Sequence, residues 1–329
     1  MRFHLLLIVV TSVLFFLLLF LCEPGERAGN FTISDSGSKF ALFQNSQNIQ
    51  NWHEWWYVNF HERQSGIEGR FLLFTHGDMN SLRYIIGIHS SILENSKELL
   101  RSDELFLKDE YHVDQGSAVV RMGKHLLKMV DKDTLEVHIE PEDGKFELDL
   151  KLKRVTPGFS RKEGILTRPE DVFWIVPMPL AKVEGVLKYG NTTRKIEGWG
   201  YHDHNYGLWE KIRWMWGEIG NIQRNISLVF IKARIGNETK GGLIMLDSKG
   251  IVFQIPYPNF DVKIMEGVVI DDISYPTLVN ITGKGMVYSV HIEAKNVTET
   301  SSIMEYSGEI LYGNKVAYEF ENVRGFFEY

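Results

Sequence analysis

The stretch KFELDLKLKRV, Lys145 to Val155, alternates along most of its length: Phe146, Leu148, Leu150 and Leu152 fall on one side, Glu147, Asp149, Lys151 and Lys153 on the other. A period of two is that of a strand with one face on a core and one in water, as in an antiparallel sheet. Seven further segments are short and rich in β-branched and aromatic residues. They are RFLLFTH (Arg70 to His76), RYIIGIHS (Arg83 to Ser90), TLEVHIEP (Thr134 to Pro141), ISLVFIKARI (Ile226 to Ile235), GGLIMLD (Gly241 to Asp247), VYSVHIEAK (Val287 to Lys295) and YSGEILYGN (Tyr306 to Asn314). EDGK at Glu142, YGNTT at Tyr189, DSKG at Asp247 and YGNK at Tyr312 punctuate them as turns. Capped segments of helical period are scarce, and DVKIMEGVVIDD after Phe260 fits a strand or a helix. The pattern predicts an all-β meander protein, closed into barrels or packed as sandwiches.

At 329 residues the chain suffices for about two domains. The junction expected between them is FWIVPMPLAKVEG, Phe173 to Gly185, where Pro177 and Pro179 interrupt two strand-like runs. This gives an N-terminal segment 1–29, a first β-domain 30–180 and a second 181–329. Each domain is about the size of a ligand-holding barrel. The formal charge of −7 and the lack of a basic run leave no footprint for nucleic acid, so no nucleic-acid partner is expected.

The N-terminal segment holds an apolar run from Leu5 to Leu21 behind Arg2, expected to be a helix serving as signal peptide or membrane anchor. At about 1.5 Å per residue it spans roughly 25 Å, near the lower limit for a bilayer. No clean small-x-small cleavage pattern follows, which favours an anchor. Sequons at Asn30, Asn191, Asn225, Asn237, Asn280 and Asn296 agree with a glycosylated body outside the cytoplasm, membrane-anchored or secreted. The single cysteine, Cys22, offers no disulfide framework.

Two segments gather chemistry: NWHEWWYVNF (Asn51 to Phe60) and GWGYHDHNYG (Gly198 to Gly207). If both are strands, Trp199, Tyr201, Asp203 and Asn205 share one face, and His202, His204 and Tyr206 the other. Likewise Trp52, Glu54 and Trp56 oppose His53, Trp55, Tyr57 and Asn59. A carboxyl walled by indole and phenol is poorly solvated, so its pKa should rise above ~3.9 and it can hold a proton to donate. Aromatic faces stabilise a developing cation. Together they suit protonation of an alkene followed by capture of the carbocation by water. Structural staples satisfied by hydrogen bonds are the plain alternative. A further reading is a metal site for hydrolysis built from His202, His204 and Glu54, with His53 in reserve. Trp209, Trp214 and Trp216, in GLWEKIRWMWGEIG, are expected to line a core or pocket. Without GxSxG and with one thiol, a nucleophilic hydrolase lacks its nucleophile.

WHEWWYV (Trp52 to Val58), PMPLAKVEGVL (Pro177 to Leu187), GWGYHDHNYG, WMWGEI (Trp214 to Ile219) and the terminal RGFFEY (Arg324 to Tyr329) resemble the carotenoid 1,2-hydratase (hydroxyneurosporene synthase) family and its AttH-like relatives. The resemblance runs in order over about residues 40 to 329. It implies two lipocalin-like antiparallel β-barrels in tandem. It also implies cofactor-independent hydration of an isoprenoid double bond, with Asp203 as the acid and Tyr201 assisting. His53, Glu54, Trp55, Trp56, His202 and His204 are carried over as residues that shape the site or hold the domains. Tyr206 stands where the family more often has tryptophan. The expected partner is a long apolar, isoprenoid or lipid-like ligand; no cofactor is expected, and a non-catalytic carrier of such ligands is the alternative function.

Overall fold

The computed structural model describes residues 36–114, 118–163, 172–270, 273–297 and 302–329; the expected N-terminal apolar helix lies outside them. A short helix α1 (Phe40–Phe43) precedes the strands. The first sheet takes β1 (Trp52–Glu62), β2 (Ile67–Asp78), β3 (Arg83–Glu94), β4 (Lys97–Leu105), β5 (Tyr111–Asp114), β6 (Val119–Met122), β7 (His125–Asp131), β8 (Thr134–Ile139), β9 (Glu147–Arg154), β10 (Phe159–Glu163), β11 (Val172–Tyr189) and β12 (Thr192–Leu208). The second takes β13 (Ile212–Asn221), β14 (Ile226–Ile235), β15 (Glu238–Asp247), β16 (Gly250–Pro256), β17 (Phe260–Ile270), β18 (Ile273–Lys284), β19 (Tyr288–Asn296), β20 (Ile303–Tyr312) and β21 (Lys315–Glu328). Every segment read as a strand lies on one and overruns it by two residues at most, and the ambiguous stretch after Phe260 falls on strand β17.

Both sheets are antiparallel and share one plan. The first has the order β4-β3-β2-β1-β12-β11-β9-β8-β7-β6-β5, with β10 added on β11; the second runs β16-β15-β14-β13-β21-β20-β19-β18-β17. In each, the opening strand pairs with the closing one and two meanders spread outward, so the halves repeat a topology that their sequences do not display. The sheets curl into half-barrels in tandem. This is the expected all-β tandem architecture; among the described residues neither sheet has a ladder between its end strands. The tight hairpins use glycine where the chain turns left-handed: Gly190 (φ 52°) and Gly313 (φ 60°) sit where the sequence placed turns.

The change of sheet falls between Leu208 and Ile212, not at residue 180. Pro177 and Pro179 end nothing: they lie inside β11, where its ladder to β12 slips between Ile175 and Met178 and again between Met178 and Ala181. An irregularity of this kind accepts residues that cannot donate to a ladder.

Each half-barrel has its own core. In β9, Leu148, Leu150 and Leu152 are buried beside Phe146, while Asp149 and Lys153 face water. Slipping this strand by one residue would expose all four apolar chains at roughly 2 kcal/mol each, so its register is fixed. The second core gathers Phe230, Phe260, Tyr306 and Phe327. A third cluster, with Tyr57, Trp174, Tyr201, Trp216, Val229, Ile244 and Phe326, joins the two sheets.

Candidate active site between the half-barrels

Strands β1 and β12 carry the two motifs and pair without a bulge, Trp55 opposite Asn205, Tyr57 opposite Asp203, Asn59 opposite Tyr201 and His61 opposite Trp199. Directly opposed residues share a face. One face of this ribbon therefore collects Trp55, Tyr57, Asn59, His61, Trp199, Tyr201, Asp203 and Asn205. The other collects Glu54, Trp56, Val58, His202 and His204. The alternation read from sequence holds along both motifs. The close pairing needs glycine: a Cβ on Gly198 would stand 1.9 Å from the His61 carbonyl oxygen, and one on Gly200 2.4 Å from that of Asn59.

The first face looks toward the second sheet, and there a cavity of about 130 Å³ opens. Its first-sheet wall is Trp55, Tyr57, Leu72, Val172, Trp174, Asp203 and Asn205. The second sheet adds Ile212, Trp214, Trp216, Ile231 and Ala233 from β13 and β14, and Glu328 from β21. Expected Asp203, Asn205, Trp55, Trp214 and Trp216 are thus brought together, in a site between the half-barrels and not inside one. The volume is close to that of cavities that admit a single aromatic ring.

Asp203 is buried at the wall of this cavity. Its Oδ2 accepts from the Tyr201 hydroxyl at 2.8 Å and from the Trp174 indole at 3.1 Å; its Oδ1 accepts from the Asn205 amide at 2.8 Å. Burial raises the carboxyl to about 7; those three donors work against the rise, and the charge of Glu328 adds to it. Near neutral pH a substantial fraction of Asp203 therefore holds a proton. Burial, with the adjacent Asp203 carboxyl, lifts Tyr201 well above the ordinary tyrosine range, so it stays a neutral donor. Tyr201 does not line the cavity; its hydroxyl reaches it only through the hydrogen bond to Asp203. Glu328 is likewise raised by burial, with Arg70 and a hydrogen bond from Trp214 opposing.

The remaining expected residues go elsewhere. Glu54 Oε1 lies 3.0 Å from His204 Nε2 and accepts from the Lys39 amide, while Oε2 accepts from the Ser38 hydroxyl at 2.6 Å. Trp56 stacks on His204 at 5.0 Å and donates to the Ser36 carbonyl. These residues bind the segment before β1 to the interior side of the ribbon. His202 Nδ1 donates to the Tyr57 carbonyl at 2.9 Å, and burial lowers its pKa to about 4. His53 stacks on Trp209 at 4.5 Å. Trp199 stacks on His61 at 4.1 Å, away from the cavity. The metal triad of Glu54, His202 and His204 is not assembled. Among the described residues, the three-group cluster spaced for an ion is His138, Glu147 and Asp149 on the outer face of the first sheet.

Sequence reasoning missed Tyr57, Trp174 and Glu328 as cavity residues. Tyr57 lay on the correct face of its motif. Trp174 was hidden in the supposed junction, and nothing local distinguishes Glu328 from any other glutamate near a strand end.

It also missed a second inter-sheet cluster. His61 is buried with Nδ1 3.0 Å from Glu68 and Nε2 3.3 Å from Glu218. Glu218 also accepts from the Asn59 amide and the Phe326 backbone, both at 3.3 Å, and Arg324 reaches Glu68 at 3.4 Å. Burial alone would lower the histidine, but hydrogen bonds and the charges of Glu218 and Glu68 outweigh it and raise His61 to about 9.

No protein-family profile and no curated protein matches the sequence. Solved structures do match in fold. A protein described as AttH (NE1406) from Nitrosomonas europaea superposes with a TM-score of 0.65 at 12% identity, over 93% of this chain and 98% of that one. Kievitone hydratase from Nectria haematococca gives 0.58 at 12%, over 92% and 97%, and CghA with Sch210972 gives 0.55 at 11%, over 92% and 96%. The chain therefore has the AttH-like, lipocalin-like tandem fold along nearly its whole length.

Proposed function

We propose that the protein is a cofactor-independent hydratase of the carotenoid 1,2-hydratase and AttH-like group, acting on a carbon–carbon double bond in an apolar ligand. The observation that carries this reading is Asp203: a carboxyl held near pKa 7, set in the wall of a cavity lined by tryptophans. Protonated Asp203 gives its proton to the less substituted alkene carbon, and the positive charge develops on the more substituted one. The ring faces of the cavity stabilise it. Water adds to the cation, and its surplus proton returns to the Asp203 carboxylate, which restores the acid. Trp174, Tyr201 and Asn205 fix the carboxyl throughout. The fold shared with a protein named kievitone hydratase supports the reaction class. The cavity volume favours a ring or one branched five-carbon unit inside, with the rest of a longer isoprenoid or lipid outside. An anchored body, as expected from the Leu5 to Leu21 run, would meet such ligands at a bilayer.

The test is hydration of prenylbenzene to its tertiary alcohol by wild type and by Asp203→Asn. The variant should lose about 10²–10⁴-fold in rate, the usual worth of a general acid. Equal rates would remove Asp203 from the mechanism. The second reading, a carrier without catalysis, draws on the three donors around Asp203, which a structural staple would also have. In that case wild type binds prenylbenzene without turning it over, and the variant loses stability instead of rate.

A further inference from the structure

The cavity has an unusual composition for a site whose ligand is neutral. Five rings face it, those of Trp55, Tyr57, Trp174, Trp214 and Trp216, and among its polar lining groups are two carboxyls, Asp203 and Glu328. Putting two acids against apolar walls costs solvation that a neutral ligand does not restore. A cation restores it, and ring faces attract the same charge.

Glu328 reaches the cavity by register. Strand β21 pairs with β13 so that Glu328 stands opposite Trp216, which puts the carboxyl and the indole on one face. Two residues earlier on that face, Phe326 packs into the cluster between the sheets. The acid is thus carried on a paired strand, facing Asp203 from the opposite sheet.

We propose that this cavity is a cage for a compact organic cation of the alkylammonium class, about the size of a trimethylammonium group, held by the faces of Trp55, Trp214 and Trp216 and by the carboxylates of Glu328 and Asp203. A trimethylammonium group carries the charge of a tertiary carbocation on an alkyl-substituted centre of similar size, though tetrahedral where the carbocation is planar, so the same cage serves the intermediate of hydration. That link to catalysis rests on the proposed function; the binding itself does not.

The groups that face the two carboxyls are Tyr57 from β1, Arg70 from β2 and Tyr201 from β12. Both phenols are raised well above their usual range by burial and stay neutral. Any change in cation binding with pH around neutrality therefore belongs to the raised carboxyls of Asp203 and Glu328.

Four of the eight tryptophans line the cavity, so tryptophan fluorescence reports its occupancy. The experiment titrates the full chain with benzyltrimethylammonium and, separately, with neopentylbenzene, its uncharged carbon isostere. The ammonium ion should bind at least about tenfold more tightly at pH 8, and that advantage should shrink on acidification. Glu328→Gln, checked by its melting temperature, should cost about tenfold in ammonium affinity and leave neopentylbenzene unaffected. Equal binding of the two isosteres, or an unchanged ammonium affinity in Glu328→Gln, would overturn the cage. The isostere comparison needs no variant. If the ammonium ion binds but prenylbenzene is never hydrated, the cage stands as a site for a stable ammonium ligand and the hydratase reading fails. If prenylbenzene is hydrated and the ammonium ion does not bind, the cage fails alone.

Discussion

The same face of β1 builds two polar places between the half-barrels, and they work in opposite ways. Around Trp55 and Tyr57 the second sheet offers Trp214, Trp216, Ile231 and Ala233, leaving space beside Asp203, whose carboxyl is raised to about 7 because burial outweighs its donors. A few residues on, around Asn59 and His61, the second sheet offers Glu218, Phe326 and Arg324. There two carboxylates enclose a histidine that is cationic at neutral pH. The first place sets a raised carboxyl beside open space. The second stores an ion pair that joins the sheets. What separates them is the charge that the facing strands bring to one ribbon surface, and whether they leave room for a guest.

The largest effect expected from breaking this contrast is on stability. Glu218→Gln leaves the buried His61 cation with one of its two carboxylates, and should cost roughly 2–4 kcal/mol in urea unfolding. Hydration of prenylbenzene by the folded variant should change little. An unchanged midpoint would show that the cluster does not hold the sheets together.

The dependence of stability on pH sharpens the contrast further. His61 is raised to about 9, above the ordinary ~6.5, so its contribution is present below pH ~6.5 and lost as pH rises through 9. The ceiling is about 3 kcal/mol. Asp203 is also raised, to about 7 from an ordinary ~3.9, so stability it favours when protonated is lost as pH rises from ~4 through 7. Both places therefore lose stability as pH rises, in adjoining windows. His202, lowered to about 4, has the opposite sign, with stability present above ~6.5 and lost as pH falls through 4. Unfolding curves from pH 4 to 10 should show His61→Gln flattening the fall above neutrality and Asp203→Asn flattening the one below it. A wild-type midpoint constant between pH 7 and 9.5 would contradict a cationic His61.

The smallest effect should come from Tyr201→Phe. Losing the 2.8 Å hydroxyl donor removes support for the Asp203 carboxylate, so its pKa should move further up. The hydration rate should fall by about tenfold, with its alkaline limb displaced upward in pH. A slower rate with an unmoved limb would assign Tyr201 to packing alone.

Much of the fold was legible because the period of two is a local property. Phe146, Leu148, Leu150 and Leu152 declare a strand and its buried side without reference to anything distant. By the same rule Tyr201, Asp203 and Asn205 had to share a face, as did Trp55 and Tyr57. The resemblance carried by the two motifs and the segments around them supplied the tandem architecture. The change of sheet does not coincide with the expected junction because proline marks a break in a ladder locally, whereas an irregularity in β11 lets Pro177 and Pro179 remain inside the sheet.

The sequence by itself determined the strands, their buried faces and the acid among aromatic residues. Only the tertiary structure decided which residues meet that acid. Trp174 is 29 positions from Asp203 and donates to it, and Glu328 comes from the closing strand of the other sheet. His61 and Glu218 are 157 positions apart and in contact. Such contacts depend on how two sheets curl and pack across each other. No short window of sequence contains that geometry, because side chains that share a face along a strand are set by the backbone, while those that face them come from strands far along the chain.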